Sequence, residues 1–284
     1  MRACTLLLLL TASAAGALPG HLHRPYLLPA APAPLSGGCA WSARLDIANE
    51  HNIDPPEGGV YAQVDAETWL LTLGARAATP AGEFGVSVPF AAVWGGLLDR
   101  PLNAFHAAVG LHSLTHPPGD VVAFAQRGEQ LAVQTGPAAG PGDPVIWWGR
   151  ARGPWSGSAL LAAPLGTRAQ FISAGAWRAG AQLAYAAPTW GARALLSVPL
   201  NGAHTTLAFL EPRAALNVTV WRDLPSGARV TADVQSSPFA VPGRYGGLNA
   251  GLRVSLGGLS FAEDAVSPRP DVTFGAQTER RACP

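Results

Sequence analysis

Lysine is absent from this chain: every one of its 19 basic side chains is an arginine. Schiff-base chemistry and P-loop phosphate binding both need a lysine, so both are excluded. Charge of either sign is scarce. Charged residues make up 13% of the 284 positions, about half the usual ~25%, which excludes a disordered polyelectrolyte. A net charge of +1 supplies no field for holding nucleic acid, so no nucleic-acid partner is expected. Cysteine is limited to Cys4, Cys39 and Cys283. Beyond the N-terminus no window reaches 18 apolar residues without polar interruption, so no helical membrane span is expected.

What is present begins with an address label. Met1-Arg2 precedes the run Leu6 to Leu10 and the small residues Ala12 to Ala17, the layout of a secretory signal peptide over residues 1–17. Its apolar core is too short for a ~20-residue membrane helix. Cys4 leaves with it. Residues 18–38 carry Pro19, Pro25, Pro29, Pro32 and Pro34 and read as an extended, flexible, unpacked leader. Residues 39–284 form the single remaining domain.

From Ala40 onward apolar and polar residues alternate. Trp41, Ala43, Leu45 and Ile47 oppose Ser42, Arg44 and Asp46; Val60, Ala62, Val64 and Ala66 oppose Tyr61, Gln63, Asp65 and Glu67. The same holds at Phe84 to Phe90, Val230 to Val234, Leu248 to Leu256 and Val272 to Ala276. Successive side chains of a strand point to opposite faces, so these runs are strands with one apolar and one polar face. Glycine and proline fall between them, as in Pro55-Pro56-Glu57-Gly58-Gly59 and Pro225-Ser226-Gly227. The pattern predicts an all-β, antiparallel meander of about 12 strands. One segment departs from it: the apolar spacing between Leu97 and Leu111 fits the 3.6 period of a short amphipathic helix near residues 97–111. Asp99 is suited to its N-cap and Pro101 to its first turn.

Alternation alone allows two architectures. A soluble sandwich buries the apolar face against a second sheet, whereas a membrane barrel turns that face to lipid. Low charge favours the barrel, as do strands of the ~9–11 residues a tilted crossing needs. Aromatic placement favours it too, with Trp41, Trp94, Trp147, Trp148, Trp190 and Trp221 near strand ends, where interfacial girdles sit. The alternative is a soluble periplasmic β-sandwich that binds a glycan or lipid through exposed aromatics.

At Gly95-Gly96-Leu97-Leu98-Asp99 and Phe105-His106-Ala107-Ala108-Val109-Gly110-Leu111 the chain resembles a bacterial envelope family, number 3187 among the domains of unknown function. Val64 to Trp69, Gly140-Pro141-Gly142-Asp143 and Ala262-Glu263-Asp264 leading to Pro270 to Phe274 resemble it in the same order. The resemblance spans Trp41 to Arg281. It implies an up-and-down outer-membrane β-barrel, with outer-membrane lipid and the barrel-assembly machinery as partners. Two departures stand out. Asn103 and Ala107 occupy positions where the family carries acidic residues. The chain ends Glu279-Arg280-Arg281-Ala282-Cys283-Pro284, without the terminal aromatic residue that the machinery reads.

In such a barrel the polar strand faces supply Arg44, Asp46, Asp65, Glu67, Arg229, Asp233, Arg253 and Glu279 as lumen-facing candidates. Asp99, Phe105 and His106 mark the helix as the candidate plug or constriction. With an even strand number the first and last strands are neighbours, so Cys39 and Cys283 are a candidate disulfide in an oxidising periplasm. Catalytic patterns are thin. His106, His112 and His116 lack metal-ligand spacing, Gly153-Pro154-Trp155-Ser156-Gly157 is no nucleophile elbow, and the carboxylate pairs Asp65/Glu67 and Glu263/Asp264 read as solvated charges. No cofactor, metal or catalytic residue is assigned. The function expected is a passive pore, open to a small solute or lipid, or a structural envelope component.

Overall fold

The computed structural model describes residues 27–33, 35, 37–57, 60–95, 97–98, 104, 107–108, 121–167, 172–201, 213–236, 248–264 and 272–283. The alternating runs are its strands. In chain order they are β1 (Cys39–Glu57), β2 (Val60–Thr79), β3 (Gly82–Trp94), β4 (Val121–Arg127) and β5 (Gln130–Thr135). Then follow β6 (Ala138–Pro141), β7 (Val145–Arg152), β8 (Trp155–Ala162), β9 (Arg178–Ala186) and β10 (Trp190–Pro199). The last are β11 (Ala215–Asp223), β12 (Ala228–Ser236), β13 (Leu248–Leu256), β14 (Leu259–Asp264) and β15 (Val272–Cys283).

Twelve of these, β1 to β3 and β7 to β15, close into one antiparallel barrel. The seam is β1 against β15, with Cys39 opposite Cys283 and Asn49 opposite Val272. A single sheet closed on itself leaves no second sheet to pack, so the sandwich alternative does not describe this molecule. Closure also pairs the backbone groups that an open edge would leave bare. Cys39 and Cys283 are joined by a disulfide across 244 residues. In the chain-entropy account a loop that long contributes roughly 5 kcal/mol.

Three strands stand outside the ring. β1 and β2, at 19 and 20 residues, outrun their neighbours, and the β4–β5 hairpin pairs with the overhang at Val60–Val64 of β2. β6 pairs with Phe90–Val93 of β3; after a break at 142–144, β7 takes up the same edge at Glu83–Ser87.

The two ends of the barrel differ. At the end bearing Cys39 and Cys283, here the near end, the connections are the turns 80–81, 153–154, 187–189, 224–227 and 257–258. Apart from the β1–β2 tip, the far-end connections are 95–144, 163–177, 200–214, 237–247 and 265–271. Short turns at the end where the first strand begins and the last one finishes, with long loops opposite, are the habit of outer-membrane barrels. The helix expected near 97–111 belongs to the far end. Ala104, Ala107 and Ala108 are helical, while Asp99, Phe105 and His106 lie outside the described residues.

Register fixes the two faces. Leu45, Leu71, Phe90, Ile146, Leu183, Leu196, Val218, Val230, Leu252, Phe261 and Phe274 lie on one side of the strands. Most are large and solvent-exposed. A soluble monomer rarely shows a contiguous apolar patch above a few hundred Å²; a girdle round the whole circumference is the surface a transmembrane barrel presents to lipid. Aromatics edge it. Trp41, Trp148, Trp155, Tyr185 and Trp190 ring the near end, with Tyr185 centred 5.0 and 5.1 Å from Trp155 and Trp190. Trp69 and Trp94 sit 5.2 Å apart at the far end. Trp147 and Trp221 are exceptions to the expected girdle. Their register turns them inward, where each ring covers a facing glycine, Gly85 and Gly191.

Candidate functional site

The site is the barrel lumen, and residues ahead of β1 partly fill it. Residues 27–33 and 35 run inside the wall, contrary to the unpacked leader that the proline content predicts. Leu28 and Ala31 are buried against Val145, Trp147, Leu160, Ala162 and Leu195, all on the inner face. Burying a leucine side chain contributes about 1.5–3 kcal/mol. Polar inner-face groups hold the backbone: Arg178 Nη1 donates to Leu27 O at 2.9 Å, and Gln182 Nε2 to Ala31 O at 3.1 Å. Arg76 Nη1 donates to Ala33 O at 2.5 Å, and the Leu35 amide donates to Glu83 Oε2 at 2.5 Å. Proline suits such a strap, because a chain without regular partners loses little by lacking N–H donors.

Two ion clusters anchor the strap. At the near end Arg76 binds both oxygens of Glu279 at 2.8 and 2.9 Å and lies 3.5 Å from Glu83. Trp147 Nε1 also donates to Glu83, at 3.4 Å. At the far end Asp143, in the break between β6 and β7, is buried and pairs with Arg178 at 3.0 Å. It further accepts from Ser173 Oγ and from the amides of Gly166 and Ala174. Asp143 thereby ties the β8–β9 connection to the cation that grips Leu27. Ile172 of that connection packs on Ala91 and Ala138, further narrowing the far end.

The strap is eccentric. Its apolar side chains lie against β7 to β10, and a cavity of about 190 Å³ beside it is lined by Leu28 and Ala30 and by Arg193, Ser197, Asn217 and Gln235 of β10 to β12. The remaining wall is polar. Arg44 makes two bonds of 2.6 Å to Asp46 and reaches Gln277 at 3.5 Å. Arg193 donates to Thr219 Oγ1 at 3.2 Å, and Asp233 stands opposite Thr219 in register, within reach of the charges of Arg193 and Arg253. Cations and anions in alternation give a hydrated surface without a strong field of one sign.

Of the expected lumen residues, Arg44, Asp46, Asp233, Arg253 and Glu279 are placed on the inner face. Arg229 is on that face at the near rim, bonded to Asp223 at 2.7 and 3.1 Å and set over Trp221. Asp65 and Glu67 depart from the expectation: they share the outer face with Trp69. Glu67, 1% exposed, accepts from Trp69 Nε1 and from the amides of Leu97 and Leu98. It is a far-rim anchor for the segment after β3. The alternation there is real, but above the apolar girdle the polar face is no longer the lumen face. The plug candidates Asp99, Phe105 and His106 lie outside the described residues; among the described residues it is the strap that occupies part of the lumen. Sequence reading missed Arg76, Glu83, Asp143, Arg178 and Gln182. Period two in Arg178-Ala179-Gly180-Ala181-Gln182-Leu183 could have placed Arg178 and Gln182 inside, but nothing local marks their partner. Among the described residues no group of three or more His, Cys, Asp or Glu side chains is placed to hold a metal ion. His106, His112 and His116 lie outside them.

No family model and no curated protein matches the chain. Solved structures do resemble it. An outer-membrane channel from Pseudomonas putida F1 aligns at 9% identity over 90% of this chain and 98% of its own, with a TM-score of 0.47. The KdgM porin aligns at 8% identity over 84% and 97%, TM-score 0.43. The toluene transporter TbuX of Ralstonia pickettii aligns at 9% identity over 87% and 90%, TM-score 0.42.

Proposed function

We propose that this chain is an outer-membrane β-barrel acting as a passive pore without cofactor, with its near end in the periplasm and its lumen narrowed by residues 27–35. The observation that carries the reading is the pairing of a lipid-type apolar exterior with a polar interior in which the described residues of the strap leave a cavity beside them. Small polar solutes would pass along the wall from β11 round to β1, past Asp233, Arg253, Arg44 and Asp46, with Arg193 of β10 at its border. Their mixed charge predicts weak ion selectivity. Membership of the envelope family resembled above belongs to the same proposal, supported by the order of its motifs along β2, the far-end connection and β14–β15. So do the partners, outer-membrane lipid and the barrel-assembly machinery.

The test is membrane fractionation, then gel migration of the detergent-extracted protein with and without boiling, then conductance in a planar bilayer. The reading expects an outer-membrane pellet, an unboiled band that migrates apart from the boiled one, and small, weakly selective current steps. A folded, membrane-resident barrel that passes no current would leave a structural envelope role and remove the pore. Recovery in the soluble periplasmic fraction would remove both.

A further inference from the structure

The outer face carries a second site. Near the near end, where β1, β2, β3, β7 and β8 lie side by side, the apolar exterior is hollowed into a groove of about 680 Å³. Trp41, Phe84, Ile146 and Trp148 line it together with the small Ala75 and Ala159. Large rings beside alanines leave a recess that the neighbouring side chains do not fill. Its surface is nearly all carbon and continuous with the girdle that faces lipid, so the chemistry it fits is an acyl chain.

Charge on the outer face is segregated by end. Among described outward positions of the ring strands, the arginines Arg150, Arg152, Arg222 and Arg280 all stand at the near end and are exposed. The acidic residues Asp65, Glu67 and Glu263 all stand at the far end. Arg150 borders the groove. It follows Trp148 by two positions on the same face of β7, and its Cγ lies 3.1 Å from where a Cβ on Gly82 would sit, so its stem crosses the β2–β3 turn. Arg152 is the next outward residue of β7.

We propose that this groove binds an anionic phospholipid of the surrounding membrane, with one acyl chain in the groove and the headgroup phosphate on Arg150 and Arg152. The proposal rests on the membrane-barrel reading. Arginine presents donors in a fork that matches phosphate oxygens, and a basic residue near an anionic membrane surface favours it about fivefold. A zwitterionic headgroup of equal chain length gains the groove and presents the same phosphate, but its choline cation offsets that charge and repels the arginines.

Delipidated, folded protein in detergent is offered equal phosphatidylglycerol and phosphatidylcholine of identical chains, and bound lipid is counted by native mass spectrometry. Phosphatidylglycerol should be retained at least about fivefold over phosphatidylcholine. R150Q/R152Q should bring the ratio to one, while R222Q, away from the groove, should leave it intact. Ala75→Phe should lower retention of both lipids alike by filling the groove. Equal retention by the unaltered protein overturns the site, as does a preference that survives R150Q/R152Q. Loss of preference in R222Q to the same degree would assign the effect to the whole rim and overturn it too. The unboiled gel band separates the two readings. If the unaltered protein lacks it, the barrel fails and takes the site with it; a folded barrel without preference removes the site alone.

Discussion

Across the lumen, the wall from β7 to β10 and the wall from β11 round to β1 have the same backbone and opposite chemistry. The first presents Val145, Trp147, Leu160, Ala162 and Leu195 to Leu28 and Ala31, and its few polar groups spend their hydrogen bonds on the strap. The second presents Arg44, Asp46, Asp233 and Arg253, with Arg193 of β10 at its border, paired among themselves or with Gln277 and Thr219. A barrel of twelve strands is too wide for wall side chains alone to fill. Among the described residues, the N-terminal segment fills one side of the lumen and a cavity of about 190 Å³ lies beside it. Stability and permeability are thereby separated: removing a group from the dry side should loosen the molecule, and removing one from the wet side should change what passes.

Four substitutions would break or sharpen that contrast. The largest effect is expected at Arg178→Ala. It strands the buried carboxylate of Asp143 and releases Leu27, and breaking a buried pair costs about 3–5 kcal/mol. The temperature at which the unboiled band disappears should fall more for this variant than for any other. Leu28→Ala comes next. It removes the largest strap side chain from its cluster, at about 2–4 kcal/mol, and should expose residues 27–35 to protease while the barrel band persists. Gly85→Ala follows. A Cβ there would lie 2.1 Å from Trp147 Cζ2, so the ring must move off the wall that Leu28 packs on, at about 1–3 kcal/mol. Trp147 should then respond to an aqueous quencher that does not reach it in the unaltered protein. Arg44→Ala is the smallest in stability, within about 1 kcal/mol for a partly solvated pair. It leaves Asp46 without its cation, so reversal potentials under a salt gradient should shift toward cation selectivity. A larger loss of stability at Arg44 than at Arg178 would invert the contrast.

Much of the barrel was legible because period two is a local property. Trp41 to Ile47 or Leu248 to Leu256 carry their strand and their faces in seven to nine letters, and the closing neighbourhood of β1 and β15 follows from an even strand number. What could not be read is long-range. Residues 27–35 look like a linker because their order comes from Glu83, 48 positions on, and from Arg178 and Gln182, 151 positions on. Asp143 looked like a turn residue because its partners sit in the next connection. Glu67 shows a different failure. Its alternation with Ala66 and Thr68 is correct, yet the sequence does not say where along β2 the girdle ends, and beyond that point an outward carboxylate can be buried under a loop.

The central claim is that the strap ahead of β1 obstructs one side of the lumen. Its most direct test is single-channel conductance of the full chain beside a variant lacking residues 27–35, both verified as folded by their unboiled bands. The account predicts small steps for the full chain and steps several-fold larger for the deletion. Equal conductance in the two would show that the strap does not occupy the conducting path, and would contradict the account.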